Sequence, residues 1–126
     1  MKLRIKGNSL RLRLGPAEVE QLLATGWVEE TIRFAAGESA KLTYALELTD
    51  ASDGVSLRYL SGEVTVLLAR EQALRWARGG EVTIAGAVVV GQELLELLVE
   101  KDFACLDRMG REKEDTFPNP KADTVC

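Results

Sequence analysis

The opening stretch MKLRIKGNSLRLRL, residues 1–14, decides the fold, because apolar and charged side chains alternate in it twice. Alternation with a period of two is typical of a half-buried β-strand. The two alternating runs flank Gly7-Asn8, a pair that favours a tight hairpin turn. The stretch therefore predicts a β-hairpin with these cross-strand pairs: Ile5 with Leu10, Leu3 with Leu12, Arg4 with Arg11, and Lys2 with Arg13.

The segment after the hairpin predicts a short helix followed by two strands. Pro16 stands where the first turn of a helix tolerates proline, and Gly26 stands where a helix ends, with an apolar stripe between them. The stretches WVEETIRF (residues 27–34) and KLTYALEL (residues 41–48) then predict two strands. The order of elements in the first half is therefore ββαββ.

The same order returns 54 residues later. Leu57-Arg58-Tyr59 repeats Leu3-Arg4-Ile5, and Ser61-Gly62 repeats the turn at Gly7-Asn8. Further matches at this offset are Leu10 with Val64, Leu12 with Val66, Leu22 with Trp76, Gly26 with Gly80, and Val28 with Val82. Near the end the offset slips to 53, so that Leu46 matches Val99 and Glu47 matches Glu100. The pattern predicts an internal duplication whose halves share one core, since neither is large enough to be stable alone.

These elements predict an α+β fold that is mostly antiparallel β. We expect the two ββαββ units to form one eight-stranded sheet, curled into a barrel or sandwich, with two short helices outside it or plugging its ends. The expected domain covers residues 1–108, with halves of about 1–54 and 55–108. Residues 109–126 are polar and lack an apolar period, which predicts a C-terminal tail.

Composition narrows the range of functions. The 126 residues contain no histidine, which excludes histidine nucleophile activation and every zinc site that uses imidazole. Cys105 and Cys126 are too few for a disulfide framework, and the N-terminus lacks the apolar core of a signal peptide, so we expect a cytoplasmic protein. No apolar run is long enough to predict a membrane span.

Five cations crowd the hairpin of this acidic chain, whose formal net charge is -4: Lys2, Arg4, Lys6, Arg11 and Arg13. Carboxylates on neighbouring strands could neutralise them, and the candidates are Glu29, Glu30, Glu47, Glu96 and Glu100. Alternatively the five cations bind an anion, either a phosphate-bearing small molecule or an acidic protein, since the arginine fork suits phosphate oxygens. Nucleic acid is a weaker candidate, because the chain is acidic overall and no aromatic residues are interleaved for base stacking.

An enzymatic alternative uses carboxylates instead. Glu47, Glu96 or Glu100 with a divalent metal such as Mg²⁺ would make a phosphohydrolase-like enzyme. The stretch VEKDFACLD, residues 99–107, also gathers acids around Cys105, but one local cluster is poor evidence for a metal site. Between Ala104 and Leu106, a buried and inert thiol is the favoured interpretation. The leading hypothesis is a non-enzymatic binding domain.

The stretches MKLRIKGNSLRLRL, VEE, LTYALE, VEKDFACLD and FPNP together resemble a family of small uncharacterised bacterial proteins of unknown function. The resemblance spans nearly the whole chain and implies a bacterial, cytoplasmic, compact single domain. It implies no activity, cofactor or site residue.

The order of elements is also similar, from the second strand onward, to the βαβββ repeat of the triphosphate tunnel metalloenzymes. That family encloses a triphosphate in a basic eight-stranded channel, which the cations of the hairpin would suit. The family's Glu-x-Glu-x-Lys strand signature is absent, since the opening strand here reads Lys2-Leu3-Arg4-Ile5-Lys6. This resemblance therefore implies at most anion binding in a similar barrel.

Overall fold

The structure is a computed structural model that describes residues 1–51, 54–103 and 117. Within these residues the order of elements is ββαββ, repeated once, as the sequence predicts. The bounds are β1 Lys2–Lys6, β2 Ser9–Leu14, α1 Pro16–Thr25, β3 Trp27–Arg33, β4 Lys41–Thr49, β5 Val55–Leu60, β6 Glu63–Ala69, α2 Arg70–Arg78, β7 Thr83–Val90 and β8 Glu93–Lys101.

The first hairpin forms with the predicted turn and the predicted register. Lys2 pairs with Arg13, Arg4 pairs with Arg11, and Leu3 pairs with Leu12. Gly7 adopts a left-handed backbone with φ of 55°, which glycine reaches without steric cost. Leu12 and Leu14 are buried on one side of the hairpin, so the alternation assigns the strand faces correctly.

The eight strands of the described residues form two sheets of four, and the prediction of one antiparallel sheet is wrong. The first sheet has the order β1-β2-β8-β7 and the second has the order β3-β4-β6-β5. The outer pairs of each sheet are antiparallel hairpins, but the central pairs, β2 with β8 and β4 with β6, are parallel. The described residues form no closed barrel, so the expected channel of a tunnel enzyme is not present in this part of the chain.

Each sheet combines one hairpin from each half of the sequence. If each strand is replaced by its equivalent in the other half, the order of the first sheet becomes β5-β6-β4-β3, which is the order of the second sheet read from its other edge. The registers also correspond: Leu12 pairs with Leu3 and Val99, while Val66 pairs with Leu57 and Leu46. These pairs keep the offsets of 54 and 53 residues that the sequence predicts.

The predicted correspondence of Val28 with Val82 needs correction. Val28 pairs with Leu46, and the residue that pairs with Val99 is Ile84 rather than Val82. The structural offset at this strand is therefore 56 residues. The reason is the longer connection between α2 and β7, which places Val82 before the strand begins.

The core lies where the inner faces of both sheets and both helices meet. Leu22 of α1 and Trp76 of α2, which the repeat matches to each other, are both fully buried. They belong to one apolar cluster with residues from both sheets: Leu12, Leu14, Leu46, Leu48, Val66, Leu68, Leu97 and Val99. This shared cluster explains why one half could not bury its apolar surface alone.

The ends of α1 follow the predicted signals. Pro16 occupies the first turn, and the Glu18 side chain accepts a hydrogen bond from the Gly15 backbone at 3.0 Å. At the other end Gly26 is left-handed, with φ of 78°, and its N–H donates to the Leu22 carbonyl. These signals are local, which is why sequence reasoning located them.

Candidate functional site

The outer face of the first sheet carries the five predicted cations. Strand alternation places Lys2, Arg4 and Lys6 of β1 beside Arg11 and Arg13 of β2 on this face. The parallel pairing of β2 with β8 adds two acids, because Ser9 lies opposite Glu96 and Arg13 lies opposite Glu100. The antiparallel pairing of β8 with β7 adds Thr83, Ala85 and Ala87. We call this surface the basic face.

Glu100 lies at the centre of the contacts on the basic face. Its side chain is 7% exposed, and its Oε1 lies 3.2 Å from Nε of Arg11 and 3.2 Å from Nε of Arg13. Its Oε2 accepts a hydrogen bond from the Thr83 hydroxyl at 3.0 Å. One buried carboxylate therefore orients two guanidinium groups and holds them side by side.

The two arginines use Glu100 differently. Arg13 Nε donates a hydrogen bond to Oε1, whereas Arg11 Nε lies at the same distance in a geometry that gives only a charge contact. Arg11 Nε is buried and has no hydrogen-bond acceptor in the described part of the chain. A buried donor without an acceptor costs free energy, on the order of 1–3 kcal/mol. Any additional acceptor at this position would therefore be stabilising.

The remaining cations lie nearer to solvent. Lys2 Nζ lies 2.7 Å from the Asp102 carboxylate just after β8, and the lysine side chain is largely exposed. Arg4 and Lys6 are exposed on the edge strand β1. The charged groups thus run from a buried centre at Glu100 to an exposed edge.

The five acids predicted as counter-charges are divided among three locations. Glu100 neutralises part of the basic face, as proposed. Glu30 instead lies 2.6 Å from the ammonium group of Met1, which also contacts Glu18. Glu47 and Glu29 are on the second sheet, where Glu47 Oε1 lies 2.8 Å from Arg58. Glu96 is exposed on the basic face, opposite Ser9.

The second sheet has a corresponding group at Glu47. Arg58 matches Arg4 at the 54-residue offset, and its hydrogen bond to Glu47 raises the pKa of the Arg58 guanidinium. The positions that match Arg11 and Arg13 hold Thr65 and Leu67. The second sheet therefore has one arginine where the first has three, and only the first sheet has a concentrated basic face.

The structure does not bring together the three glutamates of the metal-dependent alternative. Glu96 and Glu100 lie on the outer face of the first sheet, whereas Glu47 lies on the second. In the described ranges no three acids or cysteines are grouped so that they could hold a metal ion. The geometry therefore does not favour a shared metal site for these residues.

Sequence reasoning missed two contributors to the site, Thr83 and Asp102. Thr83 contacts Glu100 only because β7 pairs with β8 in this register. Asp102 reaches Lys2 because β8 runs beside the first hairpin, an arrangement that strand alternation does not reveal. The signal that could have found Thr83 is the hairpin of β7 and β8, whose turn at Gly91-Gln92 predicts the pairing.

Two predictions concern residues that lie mostly outside the described part of the chain: the buried, inert thiol of Cys105 and the polar tail at 109–126. Among the residues described, no helix is long and apolar enough to cross a membrane.

Comparison with known proteins gives one match. The model of a family of unknown function, DUF7009, matches residues 1–121, which is nearly the whole chain. No curated protein and no solved structure matches the chain. The match confirms the expected resemblance to an uncharacterised family and covers both halves of the fold. The chain therefore belongs to the DUF7009 family of unknown function.

Proposed function

We propose that the protein is a non-enzymatic binding domain whose basic face holds an anionic ligand. The observation that carries this proposal is the arrangement at Glu100, where a single carboxylate contacts two arginines. This pairing places two guanidinium groups side by side on the outer face of the sheet, where an anion can meet both. The two stacked sheets act in this proposal as a rigid sandwich that supports the face.

The balance of charge over the whole basic face supports the same conclusion. The cations are Lys2, Arg4, Lys6, Arg11 and Arg13, and among the described residues the acids on or beside the face are Glu96, Glu100 and Asp102. Counted over this part of the chain, the face has more cations than acids, although the formal net charge of the whole chain is -4. A local excess of this sign attracts anions over roughly a Debye length, about 8 Å at physiological salt.

The chemistry of the arginines favours a ligand that bears phosphate. Glu100 contacts the Nε side of both guanidinium groups, and its hydrogen bond with Arg13 Nε orients the plane of that guanidinium. A fixed guanidinium plane can bind two oxygens of one phosphate, whereas a lysine binds as a point charge.

The test is ligand-induced thermal stabilisation of the full chain by phosphate, tripolyphosphate, ATP and a short polyanion, each with and without Mg²⁺. A ligand that binds only the folded state raises the unfolding midpoint in a saturable way. We expect one or more of these anions to do so, and the effect should weaken as salt is raised.

The decisive variant is Arg4→Ala with Arg11→Ala, and the matched control is Arg58→Ala with Thr65→Ala on the second sheet. These two positions match Arg4 and Arg11 in the repeat and pair with each other in the same way. We expect the first variant to lose the ligand response and the control to keep it. Equal responses in both variants would contradict the proposal, as would the absence of stabilisation by any of the four anions in the wild type.

An acidic protein surface is the second kind of anion that the basic face would accept. The exposed positions of Arg4 and Lys6 on β1 suit a large partner better than a small molecule. A response to the polyanion without a response to phosphate or ATP would favour this partner. The phosphohydrolase alternative needs Mg²⁺-dependent release of phosphate from tripolyphosphate or ATP, which the same samples measure.

The proposal includes a bacterial cytoplasmic setting. The small number of cysteines supports the compartment, and the sequence resemblance to small bacterial proteins supports the source. Fractionation of cells that express the chain with a C-terminal tag tests the compartment.

A further inference from the structure

The strand β7, at the edge of the first sheet, differs in composition from the other edge strands. Its sequence TIAGAVVV contains no charged residue. The other three edge strands of the two sheets all carry charge: Lys2, Arg4 and Lys6 in β1; Glu29, Glu30 and Arg33 in β3; and Arg58 in β5. Charged side chains on an edge strand discourage pairing with another chain. β7 lacks this protection.

The backbone of β7 presents a defined set of hydrogen-bonding groups to its open side. Lys101 N–H donates to the Val82 carbonyl, which sets the alternation of the antiparallel ladder between β7 and β8. Residues at even positions from Ile84 onward then bond to β8, and those at odd positions point away from it. Ala85, Ala87 and Val89 therefore direct their N–H and carbonyl groups to the open edge.

The side chains along this edge leave room for another strand. Ala85 and Ala87 are small and exposed, and Val89 is 75% exposed. Leu94, beside Val89 on β8, is 60% exposed. The strand β5 approaches β7 from the inner face, where Val55 lies next to Gly86, so β5 does not cover the outward backbone groups. Within the described residues no other backbone group bonds to them.

We propose that β7 pairs antiparallel with β7 of a second copy of this chain. Antiparallel pairing of two identical strands follows a twofold axis, so every outward donor of one copy meets an outward acceptor of the other. With Ala87 on the axis, Ala87 lies opposite its own equivalent, and Ala85 of one copy lies opposite Val89 of the other. The absence of charge on β7 means that this pairing opposes no like charges.

The pairing joins the two first sheets into one continuous sheet of eight strands. Val89 of each copy then lies beside Ala85 of the other, which removes part of its exposed apolar surface from water. The hairpin of β1 and β2, which carries the five cations, lies at the far edge of each first sheet, since the strand order is β1-β2-β8-β7. The dimer therefore carries one cationic hairpin, β1 with β2, at each end, and its formation does not depend on ligand binding.

The test is sedimentation equilibrium of the full chain in reducing buffer, which excludes disulfide dimers through Cys126. The informative variant is Ala87→Pro. Proline removes the outward N–H of Ala87 but leaves the ladder to β8 intact, and proline is tolerated at an edge strand whose N–H faces away from the sheet. The matched control is Ala87→Thr, which keeps the N–H. We expect a wild-type dimer whose dissociation constant rises at least tenfold in Ala87→Pro and less than threefold in Ala87→Thr.

Amide hydrogen exchange locates the interface independently of the variants. We expect the amides of Ala85, Ala87 and Val89 to be protected at high protein concentration and to exchange rapidly on dilution. A wild-type chain that stays monomeric at the concentrations used for NMR would overturn the proposal. So would a dimer that survives Ala87→Pro unchanged, or one in which these three amides exchange rapidly.

Discussion

Glu47 and Glu100 occupy equivalent places in the two halves of the protein, but Glu47 contacts one arginine and Glu100 contacts two. Each lies on the outer face of the last strand of its half. That strand has the first hairpin of the other half on one side and its own hairpin partner on the other. The difference comes from β2, where Arg11 and Arg13 stand in place of Thr65 and Leu67. One fold therefore carries a concentrated basic face on one sheet only.

Glu100→Gln should destabilise the fold. The substitution keeps the size of the side chain but leaves Arg11 and Arg13 without their shared counter-charge, so we expect a loss of about 1–3 kcal/mol in the free energy of unfolding. Urea unfolding measures the change. The matched substitution, Glu47→Gln, removes a more exposed contact and should cost less. Equal losses of unfolding free energy in the two variants would contradict the prediction that the buried position of Glu100 makes its substitution more costly.

Gly86→Ala should also destabilise the fold, because a Cβ atom at Gly86 would lie 2.9 Å from Cβ of Val55. That contact is too short, so β5 and β7 must move apart at a cost of about 1–3 kcal/mol. The control is Gly80→Ala, where no atom lies within 4 Å of the added carbon.

The clash at Gly86 predicts coupling with Val55. The double variant Gly86→Ala with Val55→Gly should lose less stability than the sum of the two single variants, since glycine at position 55 lacks the Cβ atom that the added carbon would meet. Strict additivity in the double-mutant cycle would mean that the two strands do not meet at these residues.

For each atom removed, Trp76→Leu should lower the free energy of unfolding more than Leu22→Ala does. Trp76 is fully buried, its indole Nε1 donates to the Val82 carbonyl at 2.9 Å, and Lys101 Nζ lies 5.9 Å from the ring centroid. Removing the indole leaves a cavity and removes one of the two hydrogen bonds that the Val82 carbonyl accepts, since the bond from Lys101 N–H remains, for a total of about 3–5 kcal/mol. Trp76→Phe should recover part of the packing but not the hydrogen bond. Thermal unfolding of the three variants checks this order.

Tyr44 should make the fold sensitive to high pH. Burial, and secondarily the charge of Glu30, raise the pKa of the Tyr44 hydroxyl above its usual 10.0. The folded state then holds this proton more tightly than the unfolded state, so its contribution to stability is present below pH 10 and is lost as the pH rises through the folded pKa.

The comparison of wild type with Tyr44→Phe isolates this effect. The difference between their unfolding free energies should be constant below pH 10 and should shift in favour of Tyr44→Phe above it. Tyr59→Phe serves as the control, since Tyr59 is largely exposed. A difference that stays flat to the highest pH at which both proteins fold would contradict the prediction.

The candidate site could be predicted in part. The five cations and their common face follow from alternation in β1 and β2, and the sequence also suggested Glu100 among five possible counter-charges. Choosing Glu100 over Glu29 or Glu96 required the register of β2 with β8, since these strands lie 87 positions apart in the chain. Thr83 and Asp102 enter the site for the same reason.

By itself the sequence determined the local features of this protein: the hairpins and their turns, the helix ends, the inward and outward side of each strand, and the repeat. These depend on residues that are close in the chain, so propensity and alternation report them. Only the tertiary structure decided that each half gives one hairpin to each of two sheets, with parallel strands at the centre. That choice depends on how both halves bury a single shared core, and a pattern along one strand carries no information about its distant neighbour.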